Sequence, residues 1–180
     1  MIYMFFAQGF EEVEAIAALD VIRRADIEIK SVGVGCKTVI GSHSIPIVCD
    51  LTTDDISAFD DIKGVILPGG MPGTLNLFSD GTVHKVIDFC DENGCLISAI
   101  CAAPLILGRK NILNGKSAVC FPGFEDELIG AEISNDFVCV ADNVITAKGM
   151  GSAINFGLAI VAYFKGQAFA DNLKSTLQCS

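Results

Sequence analysis

The chain has 180 residues, 51% apolar and 19% charged, which supplies enough apolar surface for a buried core and excludes a disordered segment of this length. A formal net charge of -10 argues against a nucleic-acid phosphate surface as the main partner. The 18 Gly and 5 Pro are scattered, with no linker, repeat or low-complexity stretch, so residues 1–180 are expected to form a single domain.

Ile2 to Phe6 reads as a first strand. The apolar start lacks a basic flank, and Glu11, Glu12 and Glu14 follow at once, so it does not read as a signal peptide. From Glu11 to Ala25, Val13, Ile16, Ala17, Leu19, Val21 and Ile22 recur with helical periodicity behind an acidic first turn. Ile27 to Val34 reads as a second strand, and Thr38 to Ile40 with Ile45 to Val48 as a short hairpin or excursion around Gly41-Ser42-His43. Gly64 to Leu67 is a continuous apolar strand that ends in Pro68-Gly69-Gly70-Met71-Pro72-Gly73, a glycine-rich end able to approach a ligand closely.

Thr82 to Asn93 is an amphipathic helix stopped by Gly94, and Leu96 to Ile100 is the next buried strand. Lys116 to Cys120, Phe137 to Val140 and Asn143 to Ala147 read as further strands, and Ser152 to Phe164 and Gln167 to Thr176 as closing helices. Apolar strands alternating with helices predict an α/β fold with a mostly parallel sheet and helices on both faces. No apolar run reaches the roughly 20 residues of a membrane helix. The expectation is a cytoplasmic protein without membrane or nucleic-acid contacts.

Eight cysteines include no CxxC pair, and His43 and His84 are the only imidazoles. No zinc site is expected, and reduced thiols fit the absence of a secretory signal. Neither a P-loop nor a GxSxG, GxGxxG or HExxH stretch occurs in a suitable context, so no metal or cofactor is expected.

The segment Leu96-Ile97-Ser98-Ala99-Ile100-Cys101-Ala102-Ala103-Pro104 carries the chemistry. It reads as strand, tight elbow and helix start, with the Cys101 thiol at the carboxyl end of a central strand and amide dipoles favouring its thiolate. Cys101 is then a nucleophile or redox sensor, or else a buried structural cysteine. The Gly69-Gly70 end can meet the elbow in one crevice, where the N–H groups of Gly70 and Ala102 would form an anion pocket; a plain tight turn is the alternative. Glu14, one turn into the first helix, is placed to bury a protonated carboxyl against the thiol. Glu11 and Glu12 read as a solvated acidic cluster, and His43 and His84 as surface histidines.

Ala7-Gln8-Gly9-Phe10-Glu11-Glu12-Val13-Glu14, Leu67-Pro68-Gly69-Gly70, Ala99-Ile100-Cys101-Ala102-Ala103-Pro104 and Gly149-Met150-Gly151-Ser152 together resemble the DJ-one/ThiJ/PfpI superfamily, most closely its DJ-one and bacterial ThiJ-like branch. That resemblance implies a flavodoxin-like three-layer sandwich, a homodimer, Cys101 as reactive cysteine with Glu14 against it, and Gly69, Gly70 and Ala102 around the oxyanion or substrate. It also implies an accessory Arg24 near the site or dimer interface, and a Cys49 near that interface. Phe121 stands where many relatives carry histidine, which disfavours a Cys-His hydrolase, and Met150 replaces a usual proline. The implied activity is a cofactor-independent glyoxalase or deglycase acting on a small reactive carbonyl, with an oxidation-sensitive thiolate. The alternatives are a non-enzymatic oxidative-stress sensor or redox-dependent chaperone that meets an oxidant, and, by family naming alone, a protein of thiamine (thiazole monophosphate) biosynthesis.

Overall fold

Central to the computed structural model, which describes residues 1–179, is a seven-stranded sheet. Ser180, the last residue of the expected domain, lies outside the described residues. The strands and helices in chain order are β1 (Ile2–Phe6), α1 (Glu12–Arg24), β2 (Ile29–Gly33), β3 (Thr38–Ile40), β4 (Pro46–Val48), β5 (Leu51–Thr52), β6 (Gly64–Leu67), α2 (Gly73–Phe78), α3 (Gly81–Glu92), β7 (Leu96–Ile100), α4 (Pro104–Arg109), β8 (Ser117–Ala118), β9 (Glu132–Ile133), β10 (Val138–Ala141), β11 (Val144–Ala147), α5 (Ala153–Lys165) and α6 (Gln167–Thr176). The large sheet runs β10-β11-β7-β6-β1-β2-β5, parallel throughout except for β10 against β11. This is the expected flavodoxin-like α/β sandwich.

Every residue of β6 and β7 is buried, which explains their unbroken apolar sequence: a central parallel strand meets a helical layer on each face. Alternate residues diverge. Met4, Phe6, Ile66 and Ile100 join α1, α5 and α6 in one core, and Phe5, Val65, Leu67 and Ala99 join α3 and α4 in the other. Gly157 lets α5 approach α1 closely, since a Cβ there would lie 3.0 Å from Val21 Cβ.

Local caps set the helix starts. The Glu11 carboxylate accepts from Glu14 N–H at 2.7 Å, and Asp80 accepts from Thr82 and Val83 N–H at 2.9 Å. The β3–β4 hairpin forms as expected. One expectation is corrected: the strand expected over Lys116 to Cys120 shrinks to Ser117–Ala118. The helix after Cys101 begins at Pro104, and Gly73–Phe78 forms a helix too short to show a period in the sequence. The two-residue strands β5 and β9 carry no sequence signal for the same reason.

Sheet topology locates the crevice. From β1 the chain moves outward to β2 and β5, then crosses to β6 on the other side of β1, so the loops after β1 and β6 part at a topological switch point. Glu11 N–H donates to Gly69 O at 2.9 Å across that point.

Candidate active site

Cys101 stands at the carboxyl end of β7, one strand from the switch point. Its φ of +64° is a left-handed conformation that a residue with a side chain adopts at a cost. The surroundings hold it there: Cys101 N–H donates to Ala147 O at 2.9 Å, and its carbonyl accepts from Phe121 N–H at 2.8 Å. Removing the side chain should therefore be favourable beyond methyl size. We expect Cys101→Gly to be more stable than Cys101→Ala by about 1 kcal/mol in urea denaturation, opposite to the order at an ordinary position. Equal stabilities, or the alanine variant above the glycine one, would show that the elbow stores no strain.

Glu14 reaches the sulfur from α1. It is 2% exposed, its Oε2 accepts from Gly69 N–H at 3.1 Å, and its carboxyl hydrogen-bonds the Cys101 thiol. Burial is the main cause that pushes this carboxyl up to about 7; the Glu11 charge adds to it, and the bonds from Cys101 and Gly69 oppose it. Burial also leads at Cys101, where the Glu14 charge and hydrogen bond help to push the thiol up to about 12. The amides of Gly70 and Ala102 do reach the sulfur and favour its thiolate, as expected, but they are outweighed. Burial therefore opposes the thiolate that the two amides favour, and it moves Glu14 toward the protonated form expected of a desolvated carboxyl.

Gly69 makes this proximity possible. A Cβ at position 69 would stand 2.5 Å from Cys101 Cβ and 2.6 Å from Glu14 Oε2. Gly70 has a φ of +90°, which turns its N–H toward the thiol. On the far side, a Cβ at Gly149 would lie 3.8 Å from Glu14 Oε1 and 3.3 Å from Phe121 Cδ2. Phe121, Pro122, Phe137, Lys148 and Met150 border an adjoining cavity of about 340 Å3. Phe121 and Met150 are both exposed, so the two departures from the family pattern face the mouth of the site rather than the core.

Glu12 overturns the reading of a solvated cluster. It is 3% exposed and takes the His43 N–H at 2.7 Å, the His43 Nδ1 at 3.0 Å and the Ser42 hydroxyl at 3.2 Å. Burial would raise its carboxyl, but the His43 bonds and those from other backbone amides prevail and hold it down at about 2. His43 is exposed, as expected, yet latches the β3–β4 hairpin onto α1. Glu11, Glu12 and His43 bring three metal-type donors within 4.8 Å of one another, but Glu12 is already committed to the hairpin. His84 is half-buried; its Nε2 pairs with the Phe78 carbonyl and its Nδ1 lies 3.2 Å from Lys110 Nζ, apart from the elbow.

Arg24 is not brought to the site of its own chain. Ten residues of α1 separate it from Glu14, about 15 Å at 1.5 Å per residue, and its Nε donates to Asp20 at 2.7 Å. Cys49 is 2% exposed and packs in the α1-side core. The carbonyl and amide of Ala147 and Phe121 that pin the elbow had no signal in the sequence, because backbone partners from other strands leave none.

Residues 1–163 match the model of the DJ-1/PfpI family. This chain belongs to that family. It is 32% identical over 164 residues to protein dj-1beta of Drosophila melanogaster, covering 89% of this chain and 87% of that one. It is 31% identical over 171 residues to a Caenorhabditis elegans protein named glutathione-independent glyoxalase DJR-1.2, covering 93% of this chain and 89% of that one. The solved structure of oxidized Toxoplasma gondii DJ-1 superposes with a TM-score of 0.94 at 26% identity, covering 99% of this chain and 98% of that one. Among the described residues of this DJ-1/PfpI member, no helix is long and apolar enough to cross a membrane.

Proposed function

We propose that this family member is a cysteine-dependent glyoxalase or deglycase acting on small reactive aldehydes or their adducts. One observation carries the reading: a strained elbow presents Cys101 to a buried carboxyl and two converging amides. Glu14 takes the thiol proton as the sulfur adds to the aldehyde carbon. The carbonyl electrons move to oxygen, and the amides of Gly70 and Ala102 hold that charge. Glu14 returns that proton to the oxygen, which gives a neutral hemithioacetal and a free carboxylate; with a 2-oxoaldehyde the carboxylate next moves the hydrogen of the former aldehyde carbon, as a proton, to the neighbouring carbon. The resulting thioester is opened by water, which releases a 2-hydroxy acid and restores the thiol. No external electron donor is needed, because one carbon is oxidised as its neighbour is reduced. The C. elegans relative's name supports the same chemistry.

Turnover of methylglyoxal to lactate tests the reading. Wild-type protein should form lactate and Cys101→Ser should not; equal rates in the two proteins would overturn it.

A second reading, an oxidative-stress sensor or redox-dependent chaperone, draws on the same amides, which could hold a sulfinate formed at Cys101. Selective addition of two oxygens to Cys101 under mild peroxide, without aldehyde turnover, would favour it. All eight cysteines are free, which supports a reducing compartment such as the cytoplasm. Exposed Val13 and Ile16 on α1, with Met150 and Ile154, offer an apolar face for a second copy of the chain. Sedimentation equilibrium gives that mass directly.

A further inference from the structure

We propose that Cys90 and Cys95 form a second redox site, a dithiol that a hydroperoxide converts to an intrachain disulfide independently of Cys101. The C-terminus of α3 builds it. Gly94 takes the left-handed conformation at φ +64°, Cys95 N–H donates to Cys90 O at 2.9 Å, and Gly94 N–H donates to Asp91 O at 3.4 Å. This paired closure is a Schellman motif, in which the side chains flanking the turn usually make an apolar contact. Here both are thiols, and Cys95 lies near enough to Cys90 to push its thiol up, behind the larger effect of burial.

The pair is also held from outside the turn. Cys95 Sγ donates to Ile62 O at 3.3 Å, and the Cys95 carbonyl accepts from Asn143 Nδ2 at 2.7 Å. The backbone bond between the two residues draws their Cα atoms toward the span of about 4.4–6.8 Å that a disulfide bridges. Exposure divides the roles. Cys95 is half-buried at the surface, whereas Cys90 is 0% exposed, so Cys95 meets the oxidant and Cys90 resolves it.

The Cys95 thiolate attacks one peroxide oxygen, the O–O bond breaks, and an alcohol or water leaves after taking up a proton. Cys90 sulfur then attacks the sulfenic sulfur of Cys95. The S–S bond forms, the S–O bond breaks, and water departs with the Cys90 proton. Two thiols are oxidised and one hydroperoxide is reduced. The Cys101 thiol takes no part, since six residues of extended chain along β7 place it about 20 Å from Cys95.

The Cys101→Ser protein, treated with hydrogen peroxide and alkylated, tests this by non-reducing mass spectrometry. Cleavage after Lys85, Glu92 and Arg109 yields fragments 86–92 and 93–109, which carry only Cys90 and Cys95 in that variant. The two fragments should remain joined, with two fewer alkylated thiols, until dithiothreitol separates them. In Cys90→Ser, dimedone should instead capture a sulfenic acid at Cys95. Fragments that separate without reductant, whether both thiols are alkylated or Cys95 carries oxygen alone, would overturn the proposal. Because this readout needs no aldehyde turnover, its failure is distinct from failure of the glyoxalase reading.

Discussion

Glu14→Gln should lower kcat/KM for methylglyoxal by about 100- to 10,000-fold, the usual range for loss of a positioned acid–base group. It should also remove the pH dependence centred near 7. In wild-type protein the buried carboxyl loses its proton at about 7, and only then can it accept the proton of Cys101. kcat/KM therefore rises as pH increases through 7. The amide of the variant has no such ionisation, so its residual rate follows the thiol, which burial and the carboxylate hold up at about 12 in the wild type. A Glu14→Gln profile that still rises through pH 7 would assign the ionisation to another group.

The same substitution reads out in stability. The folded pKa of Glu14 lies near 7 against an ordinary 4.5, so its protonated form is favoured by folding. That contribution is complete below pH 4.5 and is lost as pH rises through 7. At pH 8 the Glu14→Gln protein should consequently be more stable than wild type by on the order of 1–3 kcal/mol, a difference that shrinks toward pH 5. Urea midpoints at the two pH values measure it.

Gly69→Ala should be as damaging to turnover as loss of a reacting group, although it removes no functional atom. Its added methyl would overlap Cys101 Cβ at 2.5 Å, Glu14 Oε2 at 2.6 Å and the Ile100 carbonyl oxygen at 2.9 Å. The Ile100 carbonyl is backbone and belongs to a fully buried strand, so relief must come from the Cys101–Glu14 pair itself. Overpacking of this kind costs about 1–3 kcal/mol, and a displacement near 1 Å at reacting groups costs about 100-fold in rate. Thermal melting together with kcat/KM separates the two losses. Wild-type turnover in Gly69→Ala would mean that the thiol and carboxyl need not be held in contact.

Much of the scaffold was legible because its signals are local. The unbroken apolar runs of β6 and β7 announce strands covered on both faces, and the period of Val13 to Ile22 announces α1. The short elements β5, β9 and α2 were not legible, since two to six residues do not establish a period. Glu12 shows a different limit. Glu11 and Glu12 at a helix start read as solvated, and only the hairpin arriving from some 30 residues away buries Glu12 under His43.

The sequence by itself determined the alternation of strands and helices, and with the family resemblance it picked out Cys101, Glu14, Gly69, Gly70 and Ala102. Loops at the strand ends of a parallel sheet converge on its carboxyl edge, which is why these residues come together. Tertiary structure alone decided which way the Cys101 thiol and the Glu14 carboxyl are pushed. Burial by two layers and the charge of a carboxylate from another element act on one sulfur, and their balance against two amides is a sum over space that no stretch of chain contains. It likewise decided that Arg24 stays at the far end of α1, and that the backbones of Cys90 and Cys95 close on each other where Gly94 turns the chain.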